Sequence, residues 1–317
     1  MFIKLFIRIL AIFCMVGLGI LARRLNILAG ETNLRMSRVT TNFFYPALIF
    51  TALVGNFTLK GLAENWFLPA GALLIMTTGY VLGIIVYRSI KFSGEKEKNQ
   101  FLFQCTINNY SFLPLPIVFM LWGNTGVAAL IFSTLGSELA VWTLGVLALT
   151  GNRFRKESLK QLLSVPMISI FVSIAFIAIR DCACFRGVSP LLQEAGTSFF
   201  ASLDMLGKGT IPVAMFIVGS RMAELKPHHL FTVRQGYIVG LRLLVIPGIA
   251  AALLYLLPFP LETRLILLVV ATMPSAIASV VLSEVYGSDV EFAASCVLTT
   301  HLFSLLTIPA WLSLFLR

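Results

Sequence analysis

The sequence predicts an all-α integral membrane protein with about ten transmembrane helices. Three observations carry that prediction. Hydrophobic residues make up 58% of the 317 and charged residues only 12%, where a soluble domain carries about 25% charged residues. Mean hydropathy is +0.92. The apolar residues also fall in blocks of roughly 18 to 24, long enough to cross the hydrocarbon layer as helices.

The blocks lie near 3–22, 39–57, 66–88, 100–122, 126–149, 163–180, 199–221, 235–257, 263–284 and 291–315. The first resembles a leader, with Lys4 and Arg8 before an apolar run. Arg23 and Arg24 follow it instead of a small-residue cleavage site, so it reads as an uncleaved helix. The second block holds Pro46 and the seventh holds Pro212. The fourth is interrupted: Asn108, Asn109, Tyr110 and Ser111 precede Pro114 and Pro116 in mid-span. The fifth carries Glu138. In the seventh, Asp204 and Lys208 stand four apart on one helical face and predict a local ion pair. The eighth carries Arg242, placed either to snorkel to the interface or to offset a negative charge such as Glu284. The ninth is interrupted by Pro274 between Thr272 and Ser275, and the tenth contains His301.

The connections are about 20 residues at most, too short for a soluble domain, so one transmembrane domain is expected over 1–317. The net charge of +10 is a topology signal and not a nucleic-acid surface. Fifteen of the 24 Lys and Arg residues lie in the first, third, fifth and seventh connections. The ninth, with Asp289 and Glu291, breaks the pattern. Positive residues mark the cytoplasmic side, so both termini are expected outside and the chain in a cell membrane, most naturally a bacterial inner membrane. Of the five cysteines, Cys14, Cys105 and Cys296 fall inside spans and act as small apolar residues. Cys182 and Cys184 are too close in sequence for an easy disulfide, and no histidine nearby makes a metal site with them.

The halves resemble each other. The segment from Ala29 aligns with that from Ala195, placing Pro46 over Pro212, and the segment from Trp122 aligns with that from Tyr286. Repeat 1 would span about 1–150, a cytoplasmic connection 151–162, and repeat 2 about 163–317. Five spans per repeat is an odd number, so the two repeats would be inverted, with a substrate site at their interface near the midplane. The proline breaks of the fourth and ninth spans occupy matching places. Broken backbone at that depth must be buried in protein or line a wet cavity. The half-helix N-termini there carry partial positive charge, and Asn108 and Asn109 offer amide donors, a set suited to a carboxylate.

These residues resemble the auxin efflux carrier family over nearly the whole chain. Asn109–Pro116 is similar to that family's Asn-x-Gly-Phe-x-Gly-Leu-Pro crossover, departing from it at Ser111 and Pro114. Ala271–Ala276 with Tyr286 and Gly287 is similar to the second crossover, and Thr210–Ser220 and Arg242–Pro247 resemble further family segments. The resemblance implies ten helices in two inverted five-helix repeats, with broken helices four and nine crossing, as in the bile acid/sodium symporter-like superfamily. It also implies elevator-type carriage of a small organic anion, a carboxylate or auxin-like acid. The substrate residues would be Asn108, Asn109, Tyr110, Ser111, Pro114, Pro116, Thr272, Pro274 and Ser275.

Ionisable groups inside a membrane are costly and are usually retained for function. Glu138 and His301 fall at near-symmetric repeat positions and are the candidates for proton coupling. Sodium is the alternative coupling ion, and an anion channel the alternative mechanism. No cofactor, metal or nucleic acid is expected; membrane lipid is the expected surrounding, and a homodimer the assembly to be tested. An intramembrane enzyme is disfavoured, since there is no HExxH motif or pair of intramembrane aspartates, and His228 and His229 fall in a cytoplasmic loop. Without a phosphate-binding loop the chain is not a self-contained ATP-driven pump.

Overall fold

The computed structural model describes residues 1–151, 160, 162–182, 190–225 and 232–316. Arg153, Arg155, Lys156, Cys184, Arg186, Lys226, His228 and His229 lie outside the described residues. The described chain is helical throughout, with no strand among its residues. The elements are α1 (Phe2–Arg24), α2 (Gly30–Val39), α3 (Tyr45–Asn56), α4 (Leu59–Glu64), α5 (Phe67–Tyr87) and α6 (Glu95–Thr106). There follow α7 (Pro114–Ala140), α8 (Val146–Leu149), α9 (Val165–Asp181), α10 (Pro190–Lys208) and α11 (Thr210–Glu224). The last are α12 (Val233–Gly240), α13 (Ile246–Leu256), α14 (Leu261–Ala271), α15 (Ala278–Tyr286) and α16 (Val290–Phe315).

Local chemistry sets these boundaries. Thr232 caps α12 reciprocally with Gln235, and the Asp289 carboxylate accepts from the Phe292 amide at 2.9 Å to start α16. Gly287, at φ 67°, ends α15 in the left-handed region. Single π-turns at Thr40–Phe44 and Leu241–Val245 stand just before Pro46 and Pro247. A proline within a helix removes a donor and crowds the preceding turn, and a widened turn accommodates it. Gly123, at φ 60° and ψ −147°, divides α7 where the fourth apolar block gives way to the fifth.

Among the described residues, six helical stretches are long and apolar enough to cross a membrane: Phe2–Arg24, Leu59–Tyr87, Pro114–Leu149, Gln193–Glu224, Val233–Leu256 and Val290–Phe315. The other apolar blocks are helical too, but differ for physical reasons. Block 39–57 continues back through the polar α2, α9 has only 17 residues, and the fourth and ninth blocks are each split by non-helical backbone. Apolar side chains such as Ile7, Leu18, Val81, Ile85, Phe171 and Leu302 point outward, as lipid-facing residues do.

The helices pack as two groups. One contains α1, α2, α3, α9, α10 and α11; the other contains α5 to α8 and α12 to α16. They meet chiefly where α1 lies on α16 and α3 on α7. In the first group Arg180 donates to the Val54 and Phe57 carbonyls at 2.6 and 2.7 Å, tying the end of α9 to the end of α3. The predicted Asp204–Lys208 pair is formed, at 2.6 Å. In the second group Arg234 is bonded to Glu97, joining α12 to α6.

Candidate functional site

The two breaks meet. Helix α6 ends at Thr106, and Ile107 leaves it in extended conformation. Helix α14 ends at Ala271, and α15 starts at Ala278. Between them Asn108 and Ser275 form an antiparallel bridge, and the Asn109 amide donates to the Pro274 carbonyl at 2.8 Å. Backbone groups left unpaired by the helix breaks are thus satisfied by the opposite break, which keeps them from lipid. The Asn108 side chain completes the clasp, its Nδ2 donating to the Val270 carbonyl at 2.5 Å. The Ser275 amide donates to Thr300 Oγ1 at 3.2 Å, tying the crossing to α16. Two side-chain bonds run alongside: Gln104 Nε2 donates to Ser279 Oγ at 3.0 Å, and Ser283 Oγ donates to Gln100 Oε1 at 2.8 Å.

A cavity of about 950 Å³ opens from this crossing, between the two helix groups. Asn108, Asn109, Tyr110, Ser111 and Glu138 line it at depth, and Ser37, Ser164, Arg221, Glu224, Glu284 and Glu291 line it towards the odd-numbered connections. Of the expected site residues, Asn108 to Ser111 reach the wall. Pro114 and Pro116 are buried at the start of α7. Thr272, Pro274 and Ser275 lie within the crossing, and the second break is represented on the wall by Ala276, Ile277 and Ala278.

The amides of the two asparagines are engaged differently from a simple carboxylate cradle. That of Asn108 belongs to the clasp. Asn109 Nδ2 lies 3.4 Å from His301 Nε2, a long contact. His301 Nδ1 is 2.8 Å from the Val297 carbonyl, which fixes the ring by making Nδ1 the protonated nitrogen and leaving Nε2 to accept. Glu138 receives two donors, Tyr110 OH at 2.9 Å and Trp142 Nε1 at 3.0 Å. Glu138 and His301 therefore bond to successive residues of the first break, Tyr110 and Asn109, and not to each other. Ser111 donates to Tyr45 OH at 3.1 Å, joining the crossing to α3 of the other group.

Tyr45 and Trp142 carry no mark in the sequence, since an aromatic residue in an apolar block reads as packing. Arg242 does not snorkel: it is fully buried, bonded to the Cys105 and Ala271 carbonyls. Among the described residues no group of three or more His, Cys, Asp or Glu side chains is placed to hold a metal ion.

The profile of a family described as membrane transport protein matches residues 4–158 and 153–312. An uncharacterized transporter of Methanothermobacter thermautotrophicus is 27% identical over 308 residues, covering 96% of each chain. An uncharacterized transporter of Methanocaldococcus jannaschii is 27% identical over 310 residues, again covering 96% of each.

Proposed function

Because the chain belongs to the membrane transport protein family, of auxin efflux carrier type, we propose that it is a secondary active transporter of small organic anions. One observation carries the reading: the cavity of this multi-pass membrane protein ends on two broken helices that clasp each other through Asn108, Asn109, Pro274 and Ser275. Broken helices at mid-depth put half-helix N-termini beside a substrate, and a carboxylate is the group they attract. In the first turn of α7, Pro114 and Pro116 have no N–H, so of its first three residues Leu115 alone carries a backbone donor.

The substrate class is a mono- or dicarboxylate, or an auxin-like acid. The ten apolar blocks are ten spans in two inverted repeats; the matched segments 4–158 and 153–312 meet inside the connection at 151–162, which supports that division. The group containing α1, α3, α9 and α11 serves as the scaffold. The group containing the crossing moves against it as an elevator. The cavity opens towards the cation-rich connections, so this conformation faces the cytoplasm.

Glu138 favours proton coupling. It is a carboxylate on the cavity wall, and no cation of the described residues lies within ion-pair distance of it. A second anion enters beside it at a large electrostatic cost unless a proton neutralises one of them. A thermal-shift screen of mono- and dicarboxylates on purified protein tests the substrate class. The ligand that stabilises the wild type should bind a folded Asn109→Ala variant about 10- to 100-fold more weakly, the loss of one charge-assisted hydrogen bond. Unchanged affinity in that variant, or no carboxylate that stabilises the wild type, contradicts the proposal.

A further inference from the structure

Among the described residues Arg242 is the largest fully buried side chain, with no measurable exposure. It lies in the π-turn Leu241–Val245, between α12 and α13. Its Nη1 donates to the Cys105 carbonyl at 2.9 Å and its Nη2 to the Ala271 carbonyl at 3.4 Å. Cys105 is in the last turn of α6 and Ala271 is the last residue of α14. The guanidinium therefore bridges the C-termini of the two half-helices that enter the crossing. No carboxylate of the described residues forms an ion pair with it.

A buried cation without a counter-charge is costly. Here the compensation comes from the backbone. Each half-helix C-terminus carries a partial charge of about −0.5, so two of them offset about one positive charge. They also have unpaired carbonyls at a depth where water is scarce. Half-helix C-termini and unwound carbonyls are the groups that coordinate a transported cation in carriers built on broken helices. In this chain a side chain already fills that role.

We propose that Arg242 is a built-in cation: it binds the two half-helix C-termini together and takes the place of a dissociable cation at the crossing. The crossing then assembles without sodium. With the C-terminal ends neutralised, the N-terminal ends of α7 and α15 act on the cavity undiminished, so a fixed charge supports an anion there. This extends the carrier reading to its ion requirement, but its test reads ion binding and melting, not transport. Its failure would leave the organic-anion carrier reading standing.

Purified wild-type protein should melt at the same temperature in sodium, potassium and choline chloride at equal ionic strength, and should show no saturable binding of ²²Na⁺. Arg242→Lys keeps the charge and Arg242→Met keeps most of the volume. Arg242→Lys should stay near the wild type, and Arg242→Met should melt several degrees lower. Arg242→Ala opens the site, and millimolar guanidinium or sodium chloride should raise its melting temperature above that in choline chloride. Saturable ²²Na⁺ binding by the wild type overturns the proposal and needs no variant to fold. So does an Arg242→Met protein as stable as the wild type, which would make the role one of packing alone. A folded Arg242→Ala protein indifferent to the choice of cation overturns it too.

Discussion

At the residue scale, Glu138 is the group on which the proposed proton coupling turns. Its two oxygens take hydrogens from Tyr110 and Trp142, an arrangement that holds the carboxylate against the cavity. Glu138→Gln mimics a permanently protonated side chain while keeping its shape. Reconstituted Glu138→Gln protein should still exchange substrate across vesicles, but should lose accumulation driven by an imposed pH gradient. Accumulation at the wild-type level would place the coupling elsewhere and make sodium the next ion to test. His301→Gln should alter the pH dependence of exchange through Asn109, its neighbour at 3.4 Å. If both variants lose stability yet keep the wild-type pH response, their role is to tie helices together. The depth of Glu138 and His301 was legible in the sequence, because an ionisable residue stands out in apolar text. Their partners were not. Tyr110 and Asn109 are neighbours in sequence, and only the extended backbone after Thr106 sends their side chains to different helices. The destination of Arg242 was equally hidden, since its acceptors are backbone carbonyls, which sequence does not mark.

At the element scale the breaks in the fourth and ninth blocks were readable, because a proline in mid-span forces a helix to kink or end there. The side-chain bonds that align the half-helices were harder to see, though a signal was present. Gln100 and Gln104 are four apart on α6, Ser279 and Ser283 are four apart on α15, and each Gln meets one Ser. Matched polar pairs at helical spacing in two apolar segments are what such contacts look like in sequence. The attachment of α12 to α6 lends itself to a pH test. Glu97 lies at the start of α6, outside the apolar block. Burial pushes its carboxyl up, but the bonds from Arg234 and Ser93 outweigh that and hold it below the usual carboxylate range. A depressed carboxyl contributes stability that is complete above its unfolded value, about 4.3, and is lost as pH falls through the lower folded value. Glu97→Gln should therefore lower the melting temperature at neutral pH, by an effect of about 1 kcal/mol. The gap from the wild type should close as pH falls below about 4. A gap that persists unchanged into acid would show that the ion pair is not its source.

At the scale of the whole molecule, the membrane class was plain from composition, and the division into two packed groups was not. It cuts across sequence order: α1 to α3 and α9 to α11 form one group, with the second drawn from both halves of the chain. Such a division depends on which helix faces pack, and helices that are apolar all round hide those faces. Orientation rests on the loop cations, and thiol labelling of single cysteines at positions 158 and 187, both outside the described residues, tests it. Position 158 should be protected in intact cells and position 187 labelled; the opposite pattern would reverse the direction in which the cavity opens. The central claim is that the clasped breaks form the substrate site of a carrier. Solute counterflow tests it most directly, in vesicles preloaded with the carboxylate that best stabilises the purified protein. Internal substrate should accelerate uptake of labelled substrate, and uptake should saturate. Uptake indifferent to internal substrate and rising linearly with concentration, with single-channel currents across a planar bilayer, would contradict that claim and make the crossing a pore.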